Sequence, residues 1–225
     1  MLAIIGAMDE EVMALLDRMS DVIKKEVSNV TFYEGLLAGK KVIVSKSGVG
    51  RCQSTISTTV LFENFDIDGV INFGTAGGLQ NDLKVLDVIV SDHVVNYDAD
   101  VVDWPKDYDN TKLAYKADEH YISIIKKIID NDARVFVGNI ATGDTFVHLT
   151  KQIARIKENY PDALCAEMEG ASIAQVCYHY QKPFVIIRSL SDITVNGNSV
   201  ESFSEYLKLA SERSAIWCEN FVKMI

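Results

Sequence analysis

Short apolar runs alternate along the chain with stretches whose apolar positions recur every three or four residues. Leu2 to Gly6, Gly69 to Phe73, Val85 to Val94, Arg134 to Ala141 and Phe184 to Arg188 read as strands, and a short apolar segment from Ala163 reads as a further buried strand. Val12, Leu15, Leu16 and Met19 mark an amphipathic helix, and the same periodicity runs through Cys52 to Phe65, Asp118 to Ile129, Leu149 to Glu158 and Ala171 to Tyr180. Thr31 to Ala38 and Lys41 to Lys46 flank Gly39-Lys40, which predicts a hairpin and therefore a mixed rather than purely parallel sheet. The final helix is expected to start at Ser202, whose spacing to Glu205 is that of a capping box, with Phe203, Leu207, Ala210, Ser214, Trp217 and Phe221 on its inner face. The pattern predicts an α/β fold: a single domain over residues 1–225 with a central mixed, twisted β-sheet flanked by helices.

One polar, irregular stretch interrupts this order. Asn96 to Leu113 carries five aspartates, with Trp104 as its large apolar anchor, and reads as a long surface loop of the kind that serves as a lid or a contact segment.

Charge and cysteine narrow the partners. A formal net charge of -10 argues against nucleic acid and anionic membrane. Cys52, Cys165, Cys177 and Cys218 are scattered, without C-x-x-C or nearby histidine, so neither a zinc site nor a disulfide framework is suggested, and a reduced, cytoplasmic setting is expected. The apolar start, Met1 to Ala7, has no basic region before it and turns acidic at Asp9, and no window is long enough to span a membrane. The four histidines, His93, His120, His148 and His179, are read as structural.

The chemistry collects where strands end. Gly6 to Glu11, Ser47 to Gly50, Gly74 to Gly78, Gly143 to Val147, Ala166 to Glu169 and Ser189 to Asp192 are glycine-rich, small or acidic. In an open α/β sheet ligands bind beyond the carboxyl ends of the strands, so these segments can converge on one site. Acids at a helix start, such as Asp9, Glu10 and Glu11 or the pair Glu167 and Glu169, can equally be solvated first-turn residues favoured by the helix dipole. Ser47-Gly48-Val49-Gly50 lacks the third glycine and following acid of a dinucleotide fingerprint, and no P-loop is present. Arg51, the basic residue next to these motifs, is expected to be a solvated helix residue. Several carboxylates with apolar walls suit binding a sugar that bears an apolar base and breaking its glycosidic bond with acid and base assistance.

Gly-Ala-Met-Asp-Glu-Glu (6–11), Ser-Gly-Val-Gly (47–50), Asn-Phe-Gly-Thr-Ala-Gly-Gly (72–78), Asp-Ala-Asp-Val (98–101), Thr-Gly-Asp-Thr-Phe (142–146), Ala-Glu-Met-Glu-Gly (166–170) and Arg-Ser-Leu-Ser-Asp (188–192) resemble, in order and spacing, the 5'-methylthioadenosine/S-adenosylhomocysteine nucleosidases. The resemblance covers essentially the whole chain. It implies that Glu11 activates water, Glu169 binds the ribose hydroxyls with Glu167 beside it and Met168 against the sugar, and Asp192 protonates adenine N7 with Ser191 and Arg188 in support. Phe146 would stack on adenine and the Val147 backbone would read its edge. Ala76 and Gly77 belong to Gly74–Gly78, which the residues themselves allow as either a tight strand exit or a backbone surface on which a ligand rests. Met8, Val49 and Phe203 would wall the 5' thioether, with Val101 and Trp104 supplied by the other subunit of a homodimer. The loop after Trp104 reads as shorter than the family's. No cofactor and no metal are implied.

The leaving group explains the residue types. Adenine leaves readily only if N7 is protonated as the ribose becomes oxocarbenium-like, so Asp192 needs a raised pKa, whereas Glu11 is expected to stay ionised as the base. The alternatives are a nucleoside phosphorylase on the same fold, a non-enzymatic nucleoside-binding protein, and a hydrolase for a futalosine-type nucleoside.

Overall fold

The computed structural model describes residues 1–99, 114–194 and 199–225, with backbone alone for 199–205. In chain order the elements are β1 (Leu2–Gly6), α1 (Asp9–Leu16), β2 (Ser20–Val27), β3 (Val30–Leu37), β4 (Lys40–Lys46), α2 (Arg51–Asn64), β5 (Gly69–Gly78), β6 (Val88–Asn96), β7 (Ala114–Lys116), α3 (Glu119–Ile129), β8 (Val135–Thr142), α4 (Thr150–Asn159), β9 (Cys165–Glu167), α5 (Gly170–His179), β10 (Phe184–Ile193) and α6 (Ser199–Met224).

The strands form one mixed sheet in the order β10-β6-β8-β9-β5-β1-β4-β3-β2, with β7 on β6. β10 also pairs with β5, so β5, β10, β6, β8 and β9 close into a ring from which β1, β4, β3 and β2 extend as an open flank. The period of two along each strand divides the core between the two faces. Leu2 and Ile4 of β1 join Val12 and Leu15 of α1 and Trp217 and Phe221 of α6 on one side. Ala3 and Ile5 join Leu61 of α2 and Ile173 of α5 on the other. Strands buried on both faces read as continuous apolar runs, which is why β1 and the first half of β10 stand out in the sequence.

The structure adds the short strand β7, which was not expected, and departs from the expected elements in three further places. β2 is an added edge strand, exposed along almost its whole length; only its end, at Val27, packs on the core, and Lys24, Lys25 and Glu26 give it the charged character that keeps an edge from pairing with other chains. β5 and β10 continue well past Phe73 and Arg188, because their mutual ladder runs to the pair Ile193–Gly78. α6 begins at Ser199, so Ser202 and Glu205 lie inside the helix and not at its cap. The capping spacing is a local signal, and the helix start was set by the chain around it. No helix among the described residues is long and apolar enough to cross a membrane.

Candidate active site

β5 changes partner along its length. Gly69 to Asn72 pair with β1, whereas Gly77 and Gly78 pair with β9, and β10 follows β5 on its other side throughout. Between the two partners Phe73 to Ala76 have no strand partner on that side among the described residues, and the gap is the crevice that a change of strand order creates. A cavity of about 280 Å³ occupies it, near the lower end of the range for small-molecule sites. Its walls bring together Met8, Glu11, Val49, Ala76, Gly77, Phe146, Val147, Glu167, Met168, Glu169, Ser191 and Asp192, so all the expected strand-end segments contribute. Val101 and Trp104, with the shortened loop, lie outside the described residues, and Phe203 is described only as backbone of α6.

Of the three acids at the start of α1, Asp9 and Glu10 are exposed and Glu11 is 2 % exposed. Glu11 occupies the third helical position, and its side chain folds back so that Oε2 accepts from the N–H groups of Ala7 (2.6 Å) and Met8 (3.1 Å). Burial raises the carboxyl above the ordinary glutamate range, and Arg188 with the N–H groups of Met8, Ala7 and Thr75 offset part of that rise. Desolvation thus makes Glu11 more basic than an exposed glutamate, the direction that a proton acceptor requires.

Glu167 ends β9 and Glu169 begins α5. Both oxygens of Glu167 are engaged inside the protein: Thr142 Oγ1 donates to one, and the N–H groups of Glu169 (3.0 Å) and Gly170 (2.8 Å) donate to the other, which also meets Arg188. Glu169 Oε1 accepts from Gly50 N–H at 2.9 Å, and its Oε2 lies 3.9 Å from Arg188 Nη2. Burial and the neighbouring Glu167 raise the Glu169 pKa to about 7, against the pull of Arg188 and the Gly50 amide. Arg188 is fixed in turn by Asn72 Oδ1 at 2.7 Å and the Ile187 carbonyl at 3.0 Å. One buried guanidinium therefore serves Glu11, Glu167 and Glu169, and a single cation cannot compensate three carboxylates in a low-dielectric pocket. The excess appears as raised proton affinity at Glu11 and Glu169.

Asp192 is aimed by a β-bulge. The β10 register steps from Leu190–Ala76 to Asp192–Gly77, leaving Ser191 as the extra residue, and both Ser191 and Asp192 line the cavity. Neighbours on a regular strand would face opposite ways. Ser191 Oγ donates to Asp192 Oδ1 at 3.0 Å and Thr194 Oγ1 to Oδ2 at 3.1 Å. Gly77 is required beneath them, since a Cβ there would sit 2.3 Å from Thr194 Oγ1 and 3.2 Å from Asp192 Oδ2. Thr194 was not singled out in the sequence, and Thr142 and Asn72 stood in its motifs without a role. Thr194 stands just past the end of β10, where the sequence carries no strand periodicity that would have marked it.

The rim is built from loops. Gly50, at φ 90, caps α2 in a conformation that side-chain-bearing residues rarely adopt and presents its N–H to Glu169. Val49 and Phe146 are 54 % and 42 % exposed, while Val147 is buried. Arg51, expected in solvent, instead bridges Asp144 (3.0 Å) and Asp98 (2.8 Å). The aspartates are distant in sequence, so helical position alone gave no sign of them.

A fold in which a ringed sheet opens a carboxylate-lined crevice is that of the phosphorylase superfamily, whose family model matches residues 1–223. The 5'-methylthioadenosine/S-adenosylhomocysteine nucleosidase of Oceanobacillus iheyensis is 40% identical over 228 residues, covering 100% of this chain and 99% of that protein. Among solved structures, the S-adenosylhomocysteine nucleosidase of Streptococcus pyogenes in complex with 5-methylthiotubericidin matches with a TM-score of 0.89 and 32% identity, over 100% of this chain and 96% of that one. The nucleosidase of Colwellia psychrerythraea in complex with adenine gives 0.91 and 34%, over 99% and 94%. Within the superfamily the chain belongs to the 5'-methylthioadenosine/S-adenosylhomocysteine nucleosidases, and it is an N-glycosyl hydrolase.

Proposed function

We propose that the enzyme hydrolyses 5'-methylthioadenosine and S-adenosylhomocysteine to adenine and the corresponding thioribose, a reaction suited to methionine salvage and to clearing by-products of S-adenosylmethionine. Glu11 accepts a proton from water as its oxygen attacks C1', the C1'–N9 bond breaks, and Asp192 delivers a proton to N7 so that adenine leaves neutral. Glu169 binds the ribose hydroxyls, and Met168 lies against the sugar. Glu167, with both oxygens already engaged, holds Arg188 and the start of α5. Phe146 stacks on the base, the Val147 backbone reads its edge, and Ala76 and Gly77 form the surface beneath it. Met8, Val49 and Phe203 surround the 5' thioether, with Val101 and Trp104 of a second subunit closing that end.

The observation that carries this reading is the meeting of three buried carboxylates, Glu11, Glu169 and Asp192, in one cavity formed from separate strand ends. A phosphorylase reading is disfavoured by the same electrostatics: Arg188 is surrounded by glutamates and Arg51 by aspartates, which would repel phosphate. Incubation with methylthioadenosine should release adenine without phosphate and in the presence of a chelator. A rate that depends on added phosphate, or that chelation abolishes, sinks the reading.

The homodimer is supported by the apolar residues left exposed beside the cavity mouth, Val49 and Phe146, and by Ile56 on α2. Sedimentation should give twice the chain mass. Trp104→Ala should weaken both the dimer and the binding of alkylthio substrates, more than the binding of adenosine. A fully active monomer would count against a shared pocket.

A further inference from the structure

Arg51 opens α2, yet its guanidinium serves two other segments. Nε meets Asp144 Oδ2 at 3.0 Å, Nη1 meets Asp98 Oδ1 at 2.8 Å, and Nη2 donates to Asp98 Oδ2 at 3.0 Å. Nη1 also donates to Asn96 Oδ1 at 3.5 Å. The arginine's own N–H donates to Asp144 Oδ1 at 2.8 Å, and the Asp144 N–H donates to Asp98 Oδ2 at 3.2 Å. Both oxygens of Asp144 and Asp98 Oδ2 accept hydrogen bonds, and Asp98 Oδ1 is held by its ion-pair approach to Arg51, so the three residues form one network. Asp144 stands two residues before Phe146, on the segment that walls the cavity. Gly50, the residue before Arg51, gives its N–H to Glu169.

From this juxtaposition we propose that Arg51 is a positioning residue for glycosidic cleavage: it clips the Gly143–Val147 segment to the start of α2, so that the base-facing ring and the amide holding Glu169 keep one fixed separation. The role rests on the reaction proposed above, in which Phe146 meets the base and Glu169 the ribose. The clip touches no substrate. It acts by keeping two parts of the nucleoside in register with each other, and because it touches no reacting atom its loss removes binding common to ground state and transition state, which reads as KM. Arginine is required because its planar fork spans both aspartates at once, whereas lysine offers a single point charge.

The test compares Arg51→Met, Arg51→Lys and Asp144→Asn with the unaltered enzyme, by kinetics on methylthioadenosine and by amide hydrogen exchange without substrate. Arg51→Met is expected to raise KM about 10- to 100-fold with a much smaller change in kcat, and to speed exchange in residues 143–148 and at Gly50 while the strands stay protected. Arg51→Lys should lie between. Adding Asp144→Asn to Arg51→Met should cost little more, as expected for partners in one network. Unchanged exchange in 143–148 overturns the clip. Faster exchange there with unaltered KM overturns its role in catalysis. A general loss of protection, with kcat falling as much as KM rises, shows a merely structural residue and also overturns it. If the unaltered enzyme releases no adenine, the proposed reaction fails, while the exchange measurement still decides the clip.

Discussion

The floor and the rim of the cavity are made in different ways. On the floor, Glu11, Glu167, Arg188 and Asp192 are each 6 % exposed or less, stand on or beside strands of the sheet, and are held by neighbours that are themselves buried. On the rim, Val49 and Phe146 are about half exposed, sit on loops, and owe their placement to glycine conformations and to ion pairs that solvent reaches. The floor is thus a product of strand register and of charges that cannot escape one another. The rim is a set of segments tied together afterwards. Chemistry should depend on the first and affinity on the second, and the two should fail in distinguishable ways.

The largest expected effect belongs to the floor. Asp192→Asn or Glu11→Gln should lower kcat by about 100- to 10,000-fold, the usual worth of a placed acid or base, while adenine still binds. Calorimetry beside the kinetics checks this, and near-normal turnover removes the residue from its role. Gly77→Ala comes next. Its Cβ would collide with Thr194 Oγ1, so the pair holding Asp192 must move; stability should fall by about 1–3 kcal/mol and turnover should fall with it. Thermal melts and kinetics on the same sample test whether the two losses travel together.

At the rim, Phe146→Ala should leave the melting temperature and kcat nearly unchanged and weaken nucleoside binding by about 1–3 kcal/mol, the worth of one base–aromatic contact. An equal loss of kcat would erase the distinction between the two regions. The smallest effect concerns protons on the floor. The Glu169 pKa is raised in the folded protein to about 7, so between the ordinary value of 4.5 and that point the folded state binds more protons than the unfolded one, and this site's contribution to stability falls as pH rises. Glu169→Gln cannot ionise, so its stability relative to the unaltered enzyme should climb from pH 4.5 to 7 and level off above. Melts across that range read the sign directly, and a flat difference would discard the raised carboxyl.

Much of the floor was legible because its signals are local. A buried run that gives way to small or acidic residues places an acid near a strand end, and Glu11, Glu169 and Asp192 each follow such a run. Thr194 escaped because the apolar run of β10 ends before the strand does; past Arg188 the strand is kept by its ladder to β5, which leaves no periodicity to read. β2 escaped for the opposite reason, having ladder partners but no buried face. Arg51 escaped because its partners lie 93 and 47 residues away, and charge complementarity over that distance exists only after folding. The α/β class, the mixed sheet and most helices followed from burial, which periodicity reports well. The closure of the sheet into a ring followed from a long-range pairing, which it does not report at all.

That closure also sets an order in time. β5 carries Gly77 and Ala76, but the strand that completes its other side and brings Asp192 into place is β10, made far later in the chain. A nascent polypeptide emerging from the ribosome must hold a glycine-rich, half-paired β5 open until β10 arrives, and unpaired strand edges invite association with other chains. The cavity is therefore among the last parts of the molecule to exist. A chain released before Phe184 would carry Glu11 and Glu169 yet lack Asp192, and it would present to its surroundings the edge that the finished enzyme conceals.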